Sequence, residues 1–247
     1  MEGWDFSSLG KRWTETRPTW DYRARVRSLM RRADSMLDMG TAGGEFLSEL
    51  GPLPAETFAT EGYPPNVPVS KRRLGPLGVE VVQTLSQDNT KNPQLGSLPF
   101  KTDCFALVIN RHESFVADEV YRVLKPYGRF LTQQVGSGNL AELNELLGAG
   151  PPGSGTWNLE VATKQLEASG FKIEENRTAS IESNFKDIGA VVCCLKAIPW
   201  QIPDFTVPSY LNELRRLDGF IRAKGGLKIR GTRFLVEASK GKPWRRA

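Results

Sequence analysis

Histidine is the scarcest titratable residue of this sequence, with His112 the only one among 247 residues. A zinc site made of several imidazoles and an HExxH helix are therefore excluded, and Ser/His/Asp hydrolysis would depend on that single residue. The sequence also lacks a GxSxG nucleophile turn and a GxxxxGK[ST] phosphate loop. Serine hydrolases and P-loop nucleotidases thus lose their main sequence support.

Cysteines and long apolar runs are also few. The three cysteines are odd in number, two of them are adjacent, and no CxxC occurs, so a disulfide framework is not expected. The longest nearly uncharged apolar run, residues 188–195, is far shorter than the roughly 20 residues that span a bilayer. The start MEGWDFSS lacks the basic and apolar segments of a secretory leader. We therefore expect a cytoplasmic location without membrane association.

The composition is that of a globular protein, with 39% hydrophobic and 25% charged residues. Its length suits one α/β domain. The net charge of +5 is concentrated in residues 23–32, 71–73 and 240–246. A solvated basic surface is the first interpretation of these residues, and a face that binds RNA or another polyanion is the alternative.

The sequence alternates between strand and helix patterns after a polar, Arg-rich lead-in, which we expect to form two short helices broken around Pro18. A Pro-rich turn is expected at residues 62–68. Strands are predicted at residues 35–38, 57–60, 79–85, 105–109, 129–135, 171–181 and 232–238. Helices are predicted at residues 45–50, 114–124, 157–169, 187–198 and 208–224. This alternation is typical of a parallel sheet covered by helices on both faces.

A glycine turn follows the first predicted strand, in the segment LDMGTAGGEFL at residues 37–47. Such a turn can bind a pyrophosphate at the start of a helix, but Asp38 and Glu45 would repel one. The two carboxylates suit a ligand that carries an ammonium and a sulfonium, and the spacing Asp-x-Gly-x-Ala-x-Gly differs from GxGxxG. Both points favour S-adenosylmethionine, with a purely structural turn as the alternative.

A second carboxylate, Glu61, comes 23 positions after Asp38, at the expected end of the next strand. A carboxylate there can accept hydrogen bonds from both ribose hydroxyls of a nucleoside. The alternative interpretation is a surface carboxylate before a Pro-rich turn.

Two further motifs, LPF at residues 98–100 before Asp103 and RVLKPYG at residues 122–128, complete a series of four in order. With them, residues 35–135 resemble the class I S-adenosylmethionine-dependent methyltransferases, close to the small-molecule group that includes the ubiquinone and menaquinone biosynthesis methyltransferases. Ala42 and Tyr127 stand where that family usually has glycine. We expect Ala42 to be tolerated if its φ is below zero.

The resemblance implies an α/β, Rossmann-like methyltransferase fold. Its mixed sheet would have seven strands, the first five parallel and the last, at residues 232–238, antiparallel between its neighbours, with helices on both faces and helical lid insertions. Residues 1–247 would form one domain. Within it we expect an N-terminal helical lid (1–34), a cofactor-binding half (35–135) and a substrate-side half (136–247) with a helical insertion at 185–225.

The resemblance also implies the cofactor site. The cofactor-binding residues would be Asp38, Met39, Gly40, Thr41, Gly44, Glu61, Gly62 and Asn110. The residue that contacts adenine stays open within residues 84–88. Because a sulfonium methyl group is already activated, no metal is expected.

His112 is the candidate catalytic base, with Glu113 as a group that could orient it, and the alternative is a histidine satisfied by local hydrogen bonds. Arg111 would bind an acidic acceptor or pair with a carboxylate. Trp20 and Trp200 are expected, with other aromatic side chains, to line an apolar acceptor pocket closed by the lid segments.

These residues predict methyl transfer by in-line displacement to O, N or C of a small organic acceptor. The second hypothesis is an rRNA or tRNA methyltransferase, with nucleic acid as the partner, and the third is a non-catalytic regulator that binds the cofactor. The chain is expected to be a monomer or homodimer.

Overall fold

The computed structural model describes residues 7–84, 97–151 and 156–241, which are built around one eight-stranded sheet of order β1-β7-β8-β6-β5-β2-β3-β4. The strands are β1 (Trp13–Glu15), β2 (Ser35–Met39), β3 (Glu56–Glu61), β4 (Glu80–Gln83), β5 (Phe105–Arg111), β6 (Leu124–Val135), β7 (Phe171–Phe185) and β8 (Leu227–Lys240). The helices are α1 (Tyr22–Met30), α2 (Glu45–Ser48), α3 (Asn66–Leu74), α4 (Ala117–Val123), α5 (Ala141–Leu146), α6 (Leu159–Ala168), α7 (Ile188–Ala197) and α8 (Leu211–Lys224).

The strand directions agree with the predicted mixed sheet. Strands β2 to β6 pair in parallel, and β8 lies antiparallel between β6 and β7. The predicted number of seven strands is exceeded by one, because β1 pairs antiparallel with the end of β7, where Trp13 lies opposite Phe185. A three-residue strand is too short to show alternation in the sequence.

The lead-in has a short helix on either side of Pro18, as expected, but the first is a 3-10 helix and strand β1 lies between the two. It forms a 3-10 helix (Ser7–Arg12), then β1, then a single α-helix, α1. The Asp21 side chain caps α1 by accepting a hydrogen bond from the Ala24 backbone N–H at 2.9 Å. Tyr22, Val26 and Met30 form the buried face of α1, at the four-residue spacing of one helix side.

Two helices were not predicted. The Pro-rich turn expected at residues 62–68 leads instead into α3, because Pro65 and Pro68 lie at the N-cap and in the first turn, where a missing N–H removes no helical hydrogen bond. Helix α5 has six residues, too few for helical periodicity to appear in the sequence.

Three apolar clusters hold these elements together. One packs α4 and α6 on one sheet face, around Phe115, Phe130 and Phe234. A second packs α1, α2 and α3 on the opposite face. The third packs α5, α7 and α8 against the ends of β7 and β8, which continue to the pair Phe185 and Leu227, beyond the end of β6. Among the described residues, no helix is long and apolar enough to cross a membrane.

Candidate active site

The carboxyl ends of β2, β3, β5 and β6 meet at one edge of the sheet. The strand register places Asp38 beside Ile109 and Met39 beside Asn110. Glu61 ends β3, and residues 110–113 end β5 and begin the loop that follows it. Most of the residues predicted to bind the cofactor are thus brought to a single crevice, where parallel α/β sheets place their ligands.

The glycine turn between β2 and α2 requires glycine at two of its positions. Gly40 has φ +67° and Gly44 has φ +82°, in the left-handed region that glycine adopts without strain. A Cβ on Gly40 would lie 2.5 Å from Cβ of Glu113, and one on Gly44 would lie 2.8 Å from Leu74. Thr41 anchors the turn, since its N–H donates to the Thr60 carbonyl at 2.9 Å.

The backbone of Ala42 and the side chain of Met39 differ from what the glycine-turn motif alone would suggest. Ala42 has φ +54°, so the condition under which we expected alanine to be tolerated, a negative φ, is not met. A left-handed conformation costs a residue with a Cβ roughly 1–2 kcal/mol. The Met39 side chain is buried in the α4 and α6 cluster, which leaves only its backbone for a ligand.

Asp38 and Glu61 are buried carboxylates beside the glycine turn, each 4% exposed. Burial raises the pKa of Asp38 to about 7; hydrogen bonding by Thr41 and the charge of Arg111 oppose this effect, and the charge of Glu61 adds to it. Burial also raises the pKa of Glu61, although its Oε1 accepts a hydrogen bond from the Tyr63 N–H at 2.7 Å. These negative charges are incompletely compensated, which suits a cationic ligand.

Glu113 lies over Gly40, as the short distances from its side chain to the position of an ideal Gly40 Cβ indicate. Burial raises the pKa of Glu113 to about 7, and the charge of Glu61 adds to the effect. Sequence reasoning placed this residue in the crevice but did not assign it to the glycine turn.

Asn110 is fully buried at the end of β5. Its Oδ1 accepts hydrogen bonds from Gln134 Nε2 at 2.7 Å and Thr132 Oγ1 at 3.2 Å. Its amide nitrogen finds no acceptor in the described part of the chain. A buried donor without a partner is costly, and a ligand with an acceptor group would remove that cost.

His112 has a defined protonation pattern, because its neighbours fix it. The indole nitrogen of Trp20 only donates, and it donates to Oε1 of Gln133 at 2.8 Å. The Gln133 amide nitrogen therefore faces Nε2 of His112, at 3.1 Å. Since an amide nitrogen donates, Nε2 accepts, and the proton of the neutral ring lies on Nδ1.

The surroundings of His112 also favour its neutral form. Burial of the ring lowers its pKa, and the positive charges of Arg233 and Arg111 act in the same direction. The residue as a whole is exposed to solvent, so repulsion from these two cations carries the argument for a neutral ring. The His112 backbone has φ +69°, an uncommon conformation for a residue other than glycine.

The predicted acceptor residues lie in different surroundings. Arg111 stacks over the Phe46 ring, with 4.5 Å between its guanidinium carbon and the ring centroid. Trp20 is partly buried next to Gln133, as its hydrogen bond requires. Trp200 lies between α7 and α8 and is 53% exposed. The candidate adenine contacts Leu85, Ser86, Gln87 and Asp88 lie outside the described residues.

Sequence reasoning missed Gln133, and it counted Tyr22 only among the aromatic side chains expected to cover the crevice. Gln133 lies near the carboxyl end of the predicted strand 129–135, so the rule that parallel sheets bind ligands at this edge could have identified it. The Tyr22 hydroxyl donates to the Asn110 carbonyl at 2.9 Å, and no sequence motif indicates that contact.

Comparison with known proteins gives structural matches alone, since no protein-family model and no curated protein matches the sequence. A proposed methyltransferase of Bacillus halodurans superposes with a TM-score of 0.61 at 20% identity, over 89% of this chain and 97% of that one. The cyclase SpnF superposes with a TM-score of 0.52 at 15% identity, over 88% and 81%. A geranyl diphosphate methyltransferase in complex with S-adenosylmethionine superposes with a TM-score of 0.51 at 12% identity, over 88% of this chain and 85% of that one.

These similarities identify the architecture. The described residues have the fold of the class I S-adenosylmethionine-dependent methyltransferases, which confirms the fold expected from the sequence. At these identities the likeness extends to the fold and not to the reaction.

Proposed function

We propose that this protein binds S-adenosylmethionine and transfers its methyl group to a small organic acceptor. The observation that carries the proposal is the pair of buried carboxylates, Asp38 and Glu61, beside a glycine turn with two left-handed glycines. A pyrophosphate would meet repulsion there, whereas the carboxylates can accept hydrogen bonds from an ammonium and from two ribose hydroxyls and attract the positive charge of a sulfonium.

The residues present fit this cofactor. Asp38 would accept from the ammonium group, and Glu61 with the backbone of Gly62 would hold the ribose. The unpartnered Asn110 amide would donate to the carboxylate of the methionine portion. The backbone of Met39, Gly40, Thr41 and Gly44 would allow the close approach of the ligand.

Bound S-adenosylmethionine supplies an activated methyl group on a sulfonium, so the protein has to position the acceptor and exclude water. In this proposal His112 contacts the acceptor and takes its proton at Nε2 when the acceptor displaces the Gln133 amide. Arg111 would bind an acidic group of the acceptor, and Trp20 and Trp200 would form apolar walls. An acceptor like those of the ubiquinone and menaquinone group, a cytoplasmic location, and a monomer or homodimer complete the proposal.

The charge distribution supports a small acceptor over an RNA. Three arginines of α1 are held by partners: Arg23 pairs with Glu49, Arg25 pairs with Glu237, and Arg27 donates to the Leu50 carbonyl. A cavity of about 560 Å³ lies between α1 and the start of β6, at the sheet edge opposite the crevice. Its Lys125 is paired with Asp34. These pairings favour ion-paired arginines on α1 over a free basic track along that helix.

The test begins with calorimetry of the full chain with S-adenosylmethionine and its demethylated product S-adenosylhomocysteine. We expect both to bind, and Asp38→Ala or Glu61→Ala to weaken binding by roughly 1–3 kcal/mol, as expected for loss of a charge-assisted hydrogen bond. Glu160→Ala, in an exposed ion pair remote from the crevice, serves as control. Parent-like binding by both site variants, or competition by micromolar NADH, would overturn the assignment.

A second assay separates enzyme from regulator and small acceptor from RNA. The protein is incubated with S-adenosylmethionine labelled in its methyl group and with metabolite or RNA pools. Label in a small product supports the proposal, and label in RNA supports the RNA hypothesis. Because a cyclase shares this fold, binding without any transfer would point to a non-methylating role.

A further inference from the structure

Glu113 is a charged group of the crevice that the resemblance to methyltransferases does not explain. Its side chain crosses Gly40, with Cβ, Cγ and Oε2 at 2.5, 2.6 and 2.9 Å from the position of an ideal Gly40 Cβ. The absence of a side chain on Gly40 is therefore what permits Glu113 to lie on the glycine turn.

The charged groups around Glu113 do not neutralise the negative charge of its carboxylate. Asp38 on β2 and Glu61 on β3 are the neighbouring carboxylates, and the charge of Glu61 acts directly on Glu113. Arg111 on β5 acts on Asp38, while Arg73 on α3 bonds to Glu45 and to the Gly43 carbonyl. The Tyr22 hydroxyl on α1 is engaged with Asn110, and His112 is held neutral. Besides Glu45, which pairs with Arg73, three carboxylates thus lie at this turn, and among the described residues Arg111 is the cation that acts on one of them, Asp38.

An independent observation points to a ligand beside Glu113. Gln134 Nε2 donates both to Asn110 Oδ1 at 2.7 Å and to the Glu113 carbonyl at 2.9 Å, so the two residues adjoin. The Asn110 amide nitrogen, fully buried, lacks an acceptor in the described part of the chain. A ligand with both an anionic and a cationic group would satisfy this donor and the carboxylates together.

We propose that Glu113 is a third carboxylate of the cofactor site and makes that site selective for the sulfonium cation of S-adenosylmethionine over the neutral thioether of S-adenosylhomocysteine. The inference rests on the proposed function and adds a residue and a selectivity to it. The two ligands differ by one methyl group and one positive charge. A carboxylate distinguishes them because its negative charge attracts the sulfonium cation and has no such attraction for a neutral thioether.

The same arrangement couples cofactor binding to protons. At neutral pH the free protein holds part of the carboxylates of Asp38 and Glu113 in their protonated form, since both pKa values are raised to about 7. A bound cation favours the ionised form, so S-adenosylmethionine should release protons when it binds. S-adenosylhomocysteine, which keeps only the ammonium, should release fewer.

The experiment is calorimetry of the full chain at pH 7 with both ligands, in buffers of different ionisation enthalpy. In the unaltered protein we expect more protons released by S-adenosylmethionine than by S-adenosylhomocysteine. Glu113→Gln should weaken S-adenosylmethionine binding roughly tenfold, leave S-adenosylhomocysteine binding nearly unchanged and reduce proton release. Glu160→Gln is the matched control, because it removes a carboxylate of an exposed ion pair remote from the crevice and should change neither affinity nor proton release.

The outcomes are distinct. If Glu113→Gln changes binding of both ligands equally, or of neither, the selectivity is refuted while the proposed function stands. Equal proton release by the two ligands in the unaltered protein refutes it without any variant. If the unaltered protein binds neither ligand, the proposed function itself fails.

Discussion

The protonation of His112 is decided by two neighbours. Trp20 orients the Gln133 amide, and Gln133 occupies Nε2, so the neutral ring carries its proton on Nδ1. Trp20→Phe removes the indole donor while keeping most of the apolar surface. The Gln133 amide can then turn, which lets Nε2 carry a proton. We expect a mixture of tautomers and a His112 pKa that is higher by about half to one pH unit.

Nitrogen NMR of the imidazole measures the tautomer populations and the pKa of His112, and its signals need no assignment because the chain has one histidine. Trp157→Phe is the control, since Trp157 packs against Phe115 and Phe234 on the other sheet face. A His112 ring that carries its proton on Nε2 in the unaltered protein would contradict the hydrogen-bond assignment. So would a tautomer and a pKa that do not change in Trp20→Phe.

Ala42 is strained by its backbone conformation. At φ +54° its Cβ crowds the backbone, and glycine would remove that cost while adding entropy to the unfolded chain. We expect Ala42→Gly to raise the free energy of unfolding by about 0.5–1 kcal/mol in urea denaturation. Ala55→Gly, at an exposed loop position outside the left-handed region, should instead lower it. A loss of stability in Ala42→Gly would show that the turn gains from the alanine.

Among the strands and helices, the sequence pattern predicts those that a short stretch of residues is enough to define. The buried strand 105–109 and the amphipathic helix 157–169 were predicted and correspond to β5 and α6. Strand β1 was missed because its partner is β7, some 170 residues away, and no local pattern encodes that pairing. Helix α3 was missed because its two prolines, read as a turn, lie where a helix accepts them.

The residues of the site fall into the same two groups, those that a local motif indicates and those that contacts between distant segments bring together. Asp38 and Glu61 were predicted because motif spacing and strand ends fix their position. The position of Glu113 over Gly40 and the Trp20 to Gln133 contact join distant segments, which spacing along the chain does not specify. The roles of the predicted site residues stay predictions.

Strand β1 supplies the carboxylate that compensates a buried cation of β8. Arg233, 7% exposed, donates to Oε1 and Oε2 of Glu15 at 3.1 and 3.2 Å and to Asn139 Oδ1 at 2.6 Å. Glu15→Gln leaves the guanidinium buried without a counter-charge, so we expect a loss of about 1–3 kcal/mol in the free energy of unfolding. Urea denaturation measures it.

The control for this prediction is Glu160→Gln, which breaks an ion pair with Lys164 that is exposed on both sides. No measurable change is expected there, because water solvates both groups. Equal effects of the two variants would mean that β1 contributes nothing through Arg233.

In the whole molecule, the apolar side chains that stabilise the fold and the charged side chains of the site occupy different parts of the sheet. The clusters on the two sheet faces bury the sides of the sheet, and the carboxyl edge keeps three carboxylates beside the glycine turn. Holding these negative charges close together opposes folding, which is the cost of a site prepared for a cation. The stability of the whole chain should therefore report on the site.

The last prediction concerns the free energy of unfolding of the ligand-free protein as a function of pH. The pKa values of Asp38 and Glu113 are about 7 in the folded protein, whereas the unfolded chain releases these protons near pH 4. Between pH 4 and 7 the folded state thus holds more protons, so the contribution of these groups to stability falls as pH rises. Asp38→Asn should weaken this fall and, at pH 8, be more stable than the parent by about 1–3 kcal/mol. Urea denaturation at pH 5 and pH 8 measures the difference.

Asp187 provides a control of opposite sign. Its pKa is lowered to about 2, first by its hydrogen bond with Arg12, so ionised Asp187 stabilises the folded state above pH 4. Asp187→Asn should therefore lower stability at pH 8. S-adenosylmethionine should restore much of what the parent loses at high pH, because a bound cation compensates the ionised carboxylates, and it should not do so for Asp38→Asn. An Asp38→Asn protein that is less stable than the parent at pH 8 would mean that the carboxylate is already compensated within the protein, and the argument for a cationic ligand would lose its physical basis.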